Sequence, residues 1–148
     1  MYVSIVNVQD RVQTLAEATS LLDASKQQIT EYLKSKNFTQ SSTYKNISDF
    51  KQGEEFTYTI LYDKLNTSRV IGVSWNEHIR MYDSIITELF TFNFKPIKPA
   101  NNNYTGIFNY DNFLSNIGVT LIVKENANEV TVNVDYILNG FLDPLPCC

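Results

Sequence analysis

The first long segment of the chain carries apolar residues at helical spacing. One helix face would contain Val8, Val12, Leu15, Thr19, Leu22, Ile29 and Leu33. This pattern predicts amphipathic helix. Thr14 and Glu17 have the spacing of a capping box, and Asp23 with Gln27 offers a second start. We therefore expect a short helix followed by a longer one, with the break near residues 22–25.

The pattern then changes to the alternation of strands. Residues 39–45 are polar and tolerate extended backbone, and Phe56 to Tyr62 alternates as a strand does. Residues 63–68 hold turn formers, and apolar residues resume at strand spacing between Val70 and Trp75. These two runs predict an antiparallel hairpin.

A second helix is predicted from a capping box formed by Ser74 and Glu77. Its apolar positions are Ile79, Tyr82, Ile85, Ile86, Leu89 and Phe90. The helix must end by Pro96, and residues 95–103, with three consecutive asparagines, predict an exposed loop.

Three further runs predict strands in the last third of the chain. Gly106 to Asn112 is a short strand candidate, and Val119 to Val123 leads through a polar turn at 126–128 into Val130 to Tyr136. The last run alternates apolar residues with polar ones, as a sheet with one wet face requires. We expect a second antiparallel hairpin here.

The two halves of the chain resemble each other. The run at 29–33 matches 86–90, and Asn37-Phe38 matches Asn93-Phe94. The order of elements predicts two tandem helix-strand-strand-strand units in a single domain. Their approximate bounds are 9–75 and 76–138, with a tail at 139–148.

One such unit is too small to be stable alone, so the two should join their strands into one antiparallel sheet. The expected fold class is α+β, a two-layer α/β sandwich with the helices packed on one face. The opposite face would carry Thr57, Thr59, Ser74, Thr120, Thr131, Asn133 and Asp135.

Composition agrees with one globular domain: 148 residues, 43 % hydrophobic and 19 % charged. The formal net charge of -4 gives no general attraction to nucleic acid or to an anionic membrane. No stretch has the length of a secretory signal core or a membrane span, so we expect a cytoplasmic protein. The adjacent Cys147 and Cys148 do not form a disulfide framework.

No catalytic, metal or cofactor signature is found. His78 is the only histidine, and the five glycines stand too far apart to form a phosphate-binding loop. Two carboxylate pairs occur, Glu54 with Glu55 and Asp111 with Asp135, and both are typical of solvated charge. We expect a protein that is not an enzyme.

Tyrosines among Asn and Asp near strand ends are typical of protein-binding surfaces. Together with the acidity, they favour a module that binds another protein, such as a basic toxin or enzyme, and occludes it. Inhibitors and toxin-neutralising immunity proteins of bacteria belong to this class. The candidate partner-binding residues are Tyr44, Asp49, Glu54, Glu55, Tyr104, Tyr110 and Asp111.

Two alternatives stay open. A small-molecule-binding domain would hold its ligand between helix and sheet, in a pocket lined by Trp75, Phe92, Phe94 and Tyr136. A homodimeric accessory protein would pair exposed strand edges through Val130 to Tyr136.

Overall fold

The structure, a computed structural model, describes residues 11–97 and 106–137. These residues form three α-helices and eight strands. The helices are α1 (Leu15–Leu21), α2 (Lys26–Ser35) and α3 (Tyr82–Thr91). The strands are β1 (Thr39–Tyr44), β2 (Ile47–Gln52), β3 (Phe56–Tyr62), β4 (Val70–His78), β5 (Lys95–Pro96), β6 (Gly106–Asn112), β7 (Ile117–Lys124) and β8 (Glu129–Tyr136).

All eight strands belong to one antiparallel sheet with the order β1-β2-β3-β4-β8-β7-β6-β5. The mixed α and β class and both predicted hairpins are confirmed. Four strands follow each of α2 and α3, where the sequence predicted three. Because β8 lies at the centre of the sheet, between β4 and β7, the expectation that Val130 to Tyr136 offers a free edge for dimerisation is wrong.

The expected short helix and longer helix are confirmed as α1 and α2. Thr14 and Glu17 form the capping box of α1, in which each side chain accepts a hydrogen bond from the other residue's backbone N–H. The second box is made by Ser25 and Gln28 rather than Asp23 and Gln27. Asp23 instead has a positive φ of 72° in the turn that separates the helices.

The predicted start of the second long helix is wrong. β4 continues to His78, and one 3-10 turn (Ile79–Met81) precedes α3. The cap of that turn is His78, whose Nδ1 accepts a hydrogen bond from the backbone N–H of Arg80 at 3.2 Å. Glu77 forms no capping box because its carboxylate is occupied in the protein interior, as described below.

α2 and α3 end in the same way. Asn37 and Asn93 follow their last turns with φ values of 68° and 65°. The next residue in each case is a buried phenylalanine, Phe38 or Phe94, whose N–H donates to the carbonyl five residues earlier, at 2.9 and 2.8 Å. A left-handed asparagine after the last turn is a common way to satisfy helix carbonyls.

This shared ending corrects the sequence match between the two helices. The match aligned Leu33 with Phe90, yet Phe90 is 57 % exposed and Leu89 is buried. Leu89 is therefore the counterpart of Leu33, one position from the expected one.

One face of the sheet is buried against the helices. The register aligns large apolar residues from neighbouring strands on this inner face: Phe50, Tyr58, Ile60, Val73, Trp75, Phe108, Val119, Leu121, Val132 and Val134. They join Leu15, Ile29, Leu33, Ile85 and Leu89 of the helices in one buried cluster. We call the opposite face of the sheet the outer face.

A buried carboxylate connects the start of the described chain to the sheet. Glu77 of β4 is 1 % exposed and points to the inner face. It accepts hydrogen bonds from the backbone N–H groups of Val12 and Gln13, at 2.9 and 3.1 Å. It also accepts from Trp75 Nε1 at 2.8 Å and from Arg11 Nε at 3.2 Å.

Arg11 extends this network to α3. Its guanidinium donates to the Gln13 carbonyl at 2.8 Å and lies 2.9 Å from Glu88 Oε1. Glu88 in turn accepts from the backbone N–H of Leu15, at the start of α1. Two carboxylates and one guanidinium thus hold residues 11–15 between β4 and α3.

The two edge strands are irregular. A bulge interrupts the pairing of β1 between Gln40 and Ser42. β5 contains only Lys95 and Pro96.

Of the helices in the described residues, none is long and apolar enough to span a membrane.

Replacement of Glu77 by glutamine should lower the free energy of unfolding by about 3 kcal/mol, because Arg11 and three other donors lose a buried ionised acceptor. Chemical denaturation measures the change. Glu55→Gln, at an exposed turn of the same sheet, is the matched control and should shift stability by less than about 0.5 kcal/mol. A loss below about 1 kcal/mol in Glu77→Gln would contradict the role assigned to the network.

Candidate functional site

The outer face carries polar residues in register. The seven residues expected on the face away from the helices, Thr57, Thr59, Ser74, Thr120, Thr131, Asn133 and Asp135, all lie on it. One continuous line of paired residues crosses six strands, and we call it the polar row. The polar row consists of Asp49, Thr59, Ser74, Asn133, Thr120 and Asn109.

Hydrogen bonds join neighbours along the polar row. Thr59 Oγ1 donates to Asp49 Oδ1 at 2.7 Å. Ser74 Oγ donates to Asn133 Oδ1 at 2.5 Å, and Thr120 Oγ1 donates to Asn109 Oδ1 at 2.9 Å. These bonds hold the polar side chains of the outer face in a defined arrangement without an apolar cover.

A second line of paired residues runs beside the polar row and contains two glycines. We call it the glycine row: Leu61, Gly72, Asp135, Gly118 and Asp111. Asp135 of β8 lies between the two glycines, and Asp111 of β6 lies beyond the second. The missing side chains leave room for both carboxylates above the sheet.

Asp111 and Asp135 share the space above Gly118. A Cβ atom placed on Gly118 would lie 3.3 Å from Asp111 Oδ1 and 3.8 Å from Asp135 Oδ1. A concavity of about 470 Å³ opens at this point, with both aspartates in its lining. Apolar residues complete most of its wall, among them Leu61, Ile71, Ile97 and Ile137.

The two carboxylates are electrostatically unfavourable in the free protein. Burial raises the pKa of Asp111. Asp135 as a residue is exposed, but partial desolvation of its carboxylate raises its pKa, and the neighbouring negative charge of Asp111 raises it further. Within residues 11–97 and 106–137, no lysine or arginine forms an ion pair with either one.

Carboxylates also surround the far end of the outer face. Glu54 and Glu55, in the turn between β2 and β3, line a depression of about 360 Å³ together with Glu129 of β8. A smaller depression of about 190 Å³, lined by Gly72 and Asp135, lies between this one and the concavity. The described side chains that line the three hollows include five carboxylates and no lysine or arginine.

A charged cluster that the sequence did not predict borders the concavity. The hydroxyl of Tyr136 donates to Asp23 Oδ2 at 2.5 Å, and the Arg69 guanidinium lies 5.5 Å from the centre of the Tyr136 ring. Burial and the bond to Asp23 raise the pKa of Tyr136 to about 12. The same bond, assisted by Arg69, lowers the pKa of Asp23. Asp63 pairs with the other side of Arg69 at 3.1 Å.

Five of the seven predicted partner-binding residues lie on or beside the outer face. Asp49 belongs to the polar row and Asp111 to the glycine row. Glu54 and Glu55 line the acidic depression. Tyr44, at the end of edge strand β1, is 68 % exposed.

Of the other two residues, one is not described and one is buried. Tyr104 lies outside the described residues. Tyr110 is 4 % exposed, and its pairing with Val119 places it on the inner face, so it cannot contact a partner of the folded protein. The sequence placed Tyr110 and Asp111 together, but adjacent strand residues point to opposite faces.

The aromatic residues proposed for an internal pocket are dispersed. Trp75 stacks on Tyr58 in the core with a ring-centre distance of 5.9 Å. Phe94 is buried and Phe92 is exposed, while Tyr136 pairs with Ile117 on the inner face, packs against the edge of the core and also lines the concavity. Cys147 and Cys148 lie outside the described residues.

Tyr110→Ala should lower the free energy of unfolding by about 3 kcal/mol or more, because it empties a large volume of the core. Tyr44→Ala removes the same side chain from an exposed position and should change stability by less than about 0.5 kcal/mol. Thermal and urea unfolding of the two variants make the comparison. Equal stabilities would show that Tyr110 is not a core residue.

Asp135→Asn should stabilise the protein slightly at pH 7, with a rise in Tm of at most about 1 °C, because it removes a carboxylate that partial burial and Asp111 disfavour, while solvent contact at this exposed residue screens the effect. The pKa of Asp135 is higher in the folded protein than in the unfolded chain. Between these two pKa values the carboxyl is protonated in the native state and ionised in the unfolded state. Its contribution to the free energy of unfolding of the wild type therefore falls as pH rises through that interval. Below the ordinary aspartate value of 3.8 the two proteins should melt alike. A variant that melts below the wild type at pH 7 would show that the carboxylate stabilises the fold.

Comparisons with protein families, with curated proteins and with solved structures found no match to this chain. The geometry and charge of the outer face are therefore the basis for inferring its function.

Proposed function

We propose that the protein is a binding module that occludes another protein, as an inhibitor or toxin-neutralising immunity protein of bacterial type does. It is not an enzyme in this proposal. The observation that carries the proposal is the outer face, where an acidic, hydrogen-bonded polar surface on six adjacent strands is left uncovered by the described residues.

The dimensions of the outer face suit a protein partner. Six strands about 4.8 Å apart span about 24 Å, and strands of seven or eight residues are about 25 Å long. This area is comparable with the roughly 800 Å² that each side contributes to a standard protein interface. A face of this width can cover the mouth of a substrate cleft.

The charge of the outer face favours a basic partner. Its three hollows contain five carboxylates, and the formal net charge of the chain is -4. Complementary charge accelerates association and suppresses binding of acidic competitors. Enzymes that act on nucleic acid or on other polyanions present basic clefts of the required sign.

Our proposal includes the division of the fold into two related halves. A two-layer sandwich of two tandem units is supported by the mirrored strand order, in which β4 to β1 and β8 to β5 run outward from the centre. The matching ends of α2 and α3, at Asn37 and Asn93, also support it. Under this description the two halves contribute equally to the outer face.

Asn133→Arg tests the proposal, because it adds bulk and positive charge at the middle of the polar row. The tagged full-length chain captures its partner from native cells, and the purified partner is then titrated calorimetrically. We expect affinity to fall at least about tenfold for Asn133→Arg, from steric exclusion and like-charge repulsion. Thr87→Arg, exposed on α3, is the control and should bind like the wild type.

The activity of the captured protein decides the mode of action. Stoichiometric loss of its activity on binding supports occlusion, and full activity in the complex overturns it. Equal affinities for Asn133→Arg and wild type would place the interface elsewhere. Recovery of a bound metabolite without a protein would favour the small-molecule alternative.

A further inference from the structure

Asp111 is the one charged residue of the described interior that lacks a partner. Three charged residues in the described chain are less than a tenth exposed: Arg11, Glu77 and Asp111. Arg11 and Glu77 pair with each other and with further groups. The carboxylate of Asp111, 8 % exposed, has neither hydrogen bond nor ion pair within those residues, and it faces the concavity.

Such an arrangement costs stability unless something else compensates it. Partial desolvation of a carboxylate that has no protein donor is unfavourable, although the oxygens of Asp111 keep contact with solvent in the concavity, and a second carboxylate in the same space adds repulsion. Asp135 is that second group, and the glycines on either side of it offer no side-chain donor. Surfaces that spend stability in this way are typical of binding sites.

We propose that the concavity, at the point beside Gly118 and Ile137 where Asp111 and Asp135 both line it, receives one lysine or arginine side chain of the protein partner. This inference rests on the proposed function and names the group that the concavity would recognise. The cation would sit between the two carboxylates and neutralise both.

The shape of the concavity agrees with an organic cation on an apolar stem. Leu61, Ile71, Ile97 and Ile137 line the approach to the carboxylates. Lysine and arginine pack their methylene stems against apolar surface while the charged head reaches polar groups. Burial of that stem adds to the charge-assisted hydrogen bonds at the head.

A metal ion fits the site less well. Calcium takes six to eight oxygen ligands, and magnesium requires near-octahedral coordination. Two aspartates face the space, and no group of three His, Cys, Asp or Glu side chains in the described part of the chain is placed to hold a metal ion. The donor set therefore favours a side-chain cation.

N-acetylarginine amide is the first probe, with the neutral N-acetylnorleucine amide as its matched control. We expect saturable shifts of the Gly118 and Gly72 amide resonances with the arginine compound, with a Kd of about 1–10 mM for one isolated side chain. The norleucine compound should cause shifts at least fivefold smaller. Saturation by Ca²⁺ or Mg²⁺ in place of the arginine compound, or no saturation at all, would overturn the proposal.

Three variants locate the binding. Asp111→Asn removes one charge, and Gly118→Ala keeps both charges but fills the space with a Cβ 3.3 Å from Asp111 Oδ1. Both should reduce the probe-induced shifts at least fivefold, and Asp111→Asn should retain or exceed the Tm of the wild type. Glu31→Gln removes a carboxylate from the exposed surface of α2, away from the outer face, and should bind the probe normally. Normal probe binding by Asp111→Asn and Gly118→Ala would refute the assigned position.

The protein partner separates this inference from the proposed function. Weaker binding of the partner to Asn133→Arg would show that the partner binds the outer face. If the same partner binds Asp111→Asn with wild-type affinity, the proposed function stands and the cation receptor is refuted. Probe binding at Gly118 without any protein partner supports the receptor chemistry and overturns occlusion. At least a tenfold loss of partner affinity in Asp111→Asn, with Glu31→Gln on α2 changed much less, supports both.

Discussion

The buried carboxylate of Glu77 is the constraint on which the arrangement of helices and sheet depends. It lies on the central strand β4 and accepts bonds from two backbone groups, one indole and one guanidinium. Arg11 carries the connection to Glu88 of α3. An ionised group at 1 % exposure is tolerable only when its acceptor capacity is filled, so the segment around residues 11–15 has little freedom of position.

Patterns within single elements were readable from the sequence. The strand Phe56–Tyr62 and the short and long first helices follow from local spacing, because each element buries one periodic face. The sequence indicated extended backbone at residues 39–45, where β1 lies, but β2 was not recognised, because its buried positions are Ser48 and Phe50 and not an alternation of apolar residues. The start of α3 was misread because Glu77 is bound by residues 64 and 65 positions earlier.

The candidate site was predictable in part for the same reason. Period-two alternation was enough to assign seven outward residues, and the pairing of Asp111 with Asp135 was visible as composition. The proximity of the two carboxylates was not predictable, because only the register of β6, β7 and β8 brings them to either side of Gly118. Tyr110 was misassigned because tyrosine is as common in cores as at interfaces, and its face follows from register alone.

The irregular edges of the sheet have a consequence for the behaviour of the protein at high concentration. An exposed, regular edge strand is a template on which further copies can add strands and form fibrils. The bulge in β1 breaks that template at one end, and Pro96 in β5 has no backbone N–H to offer at the other. At high concentration, the described edges of this sheet therefore offer no regular template for β-sheet aggregation.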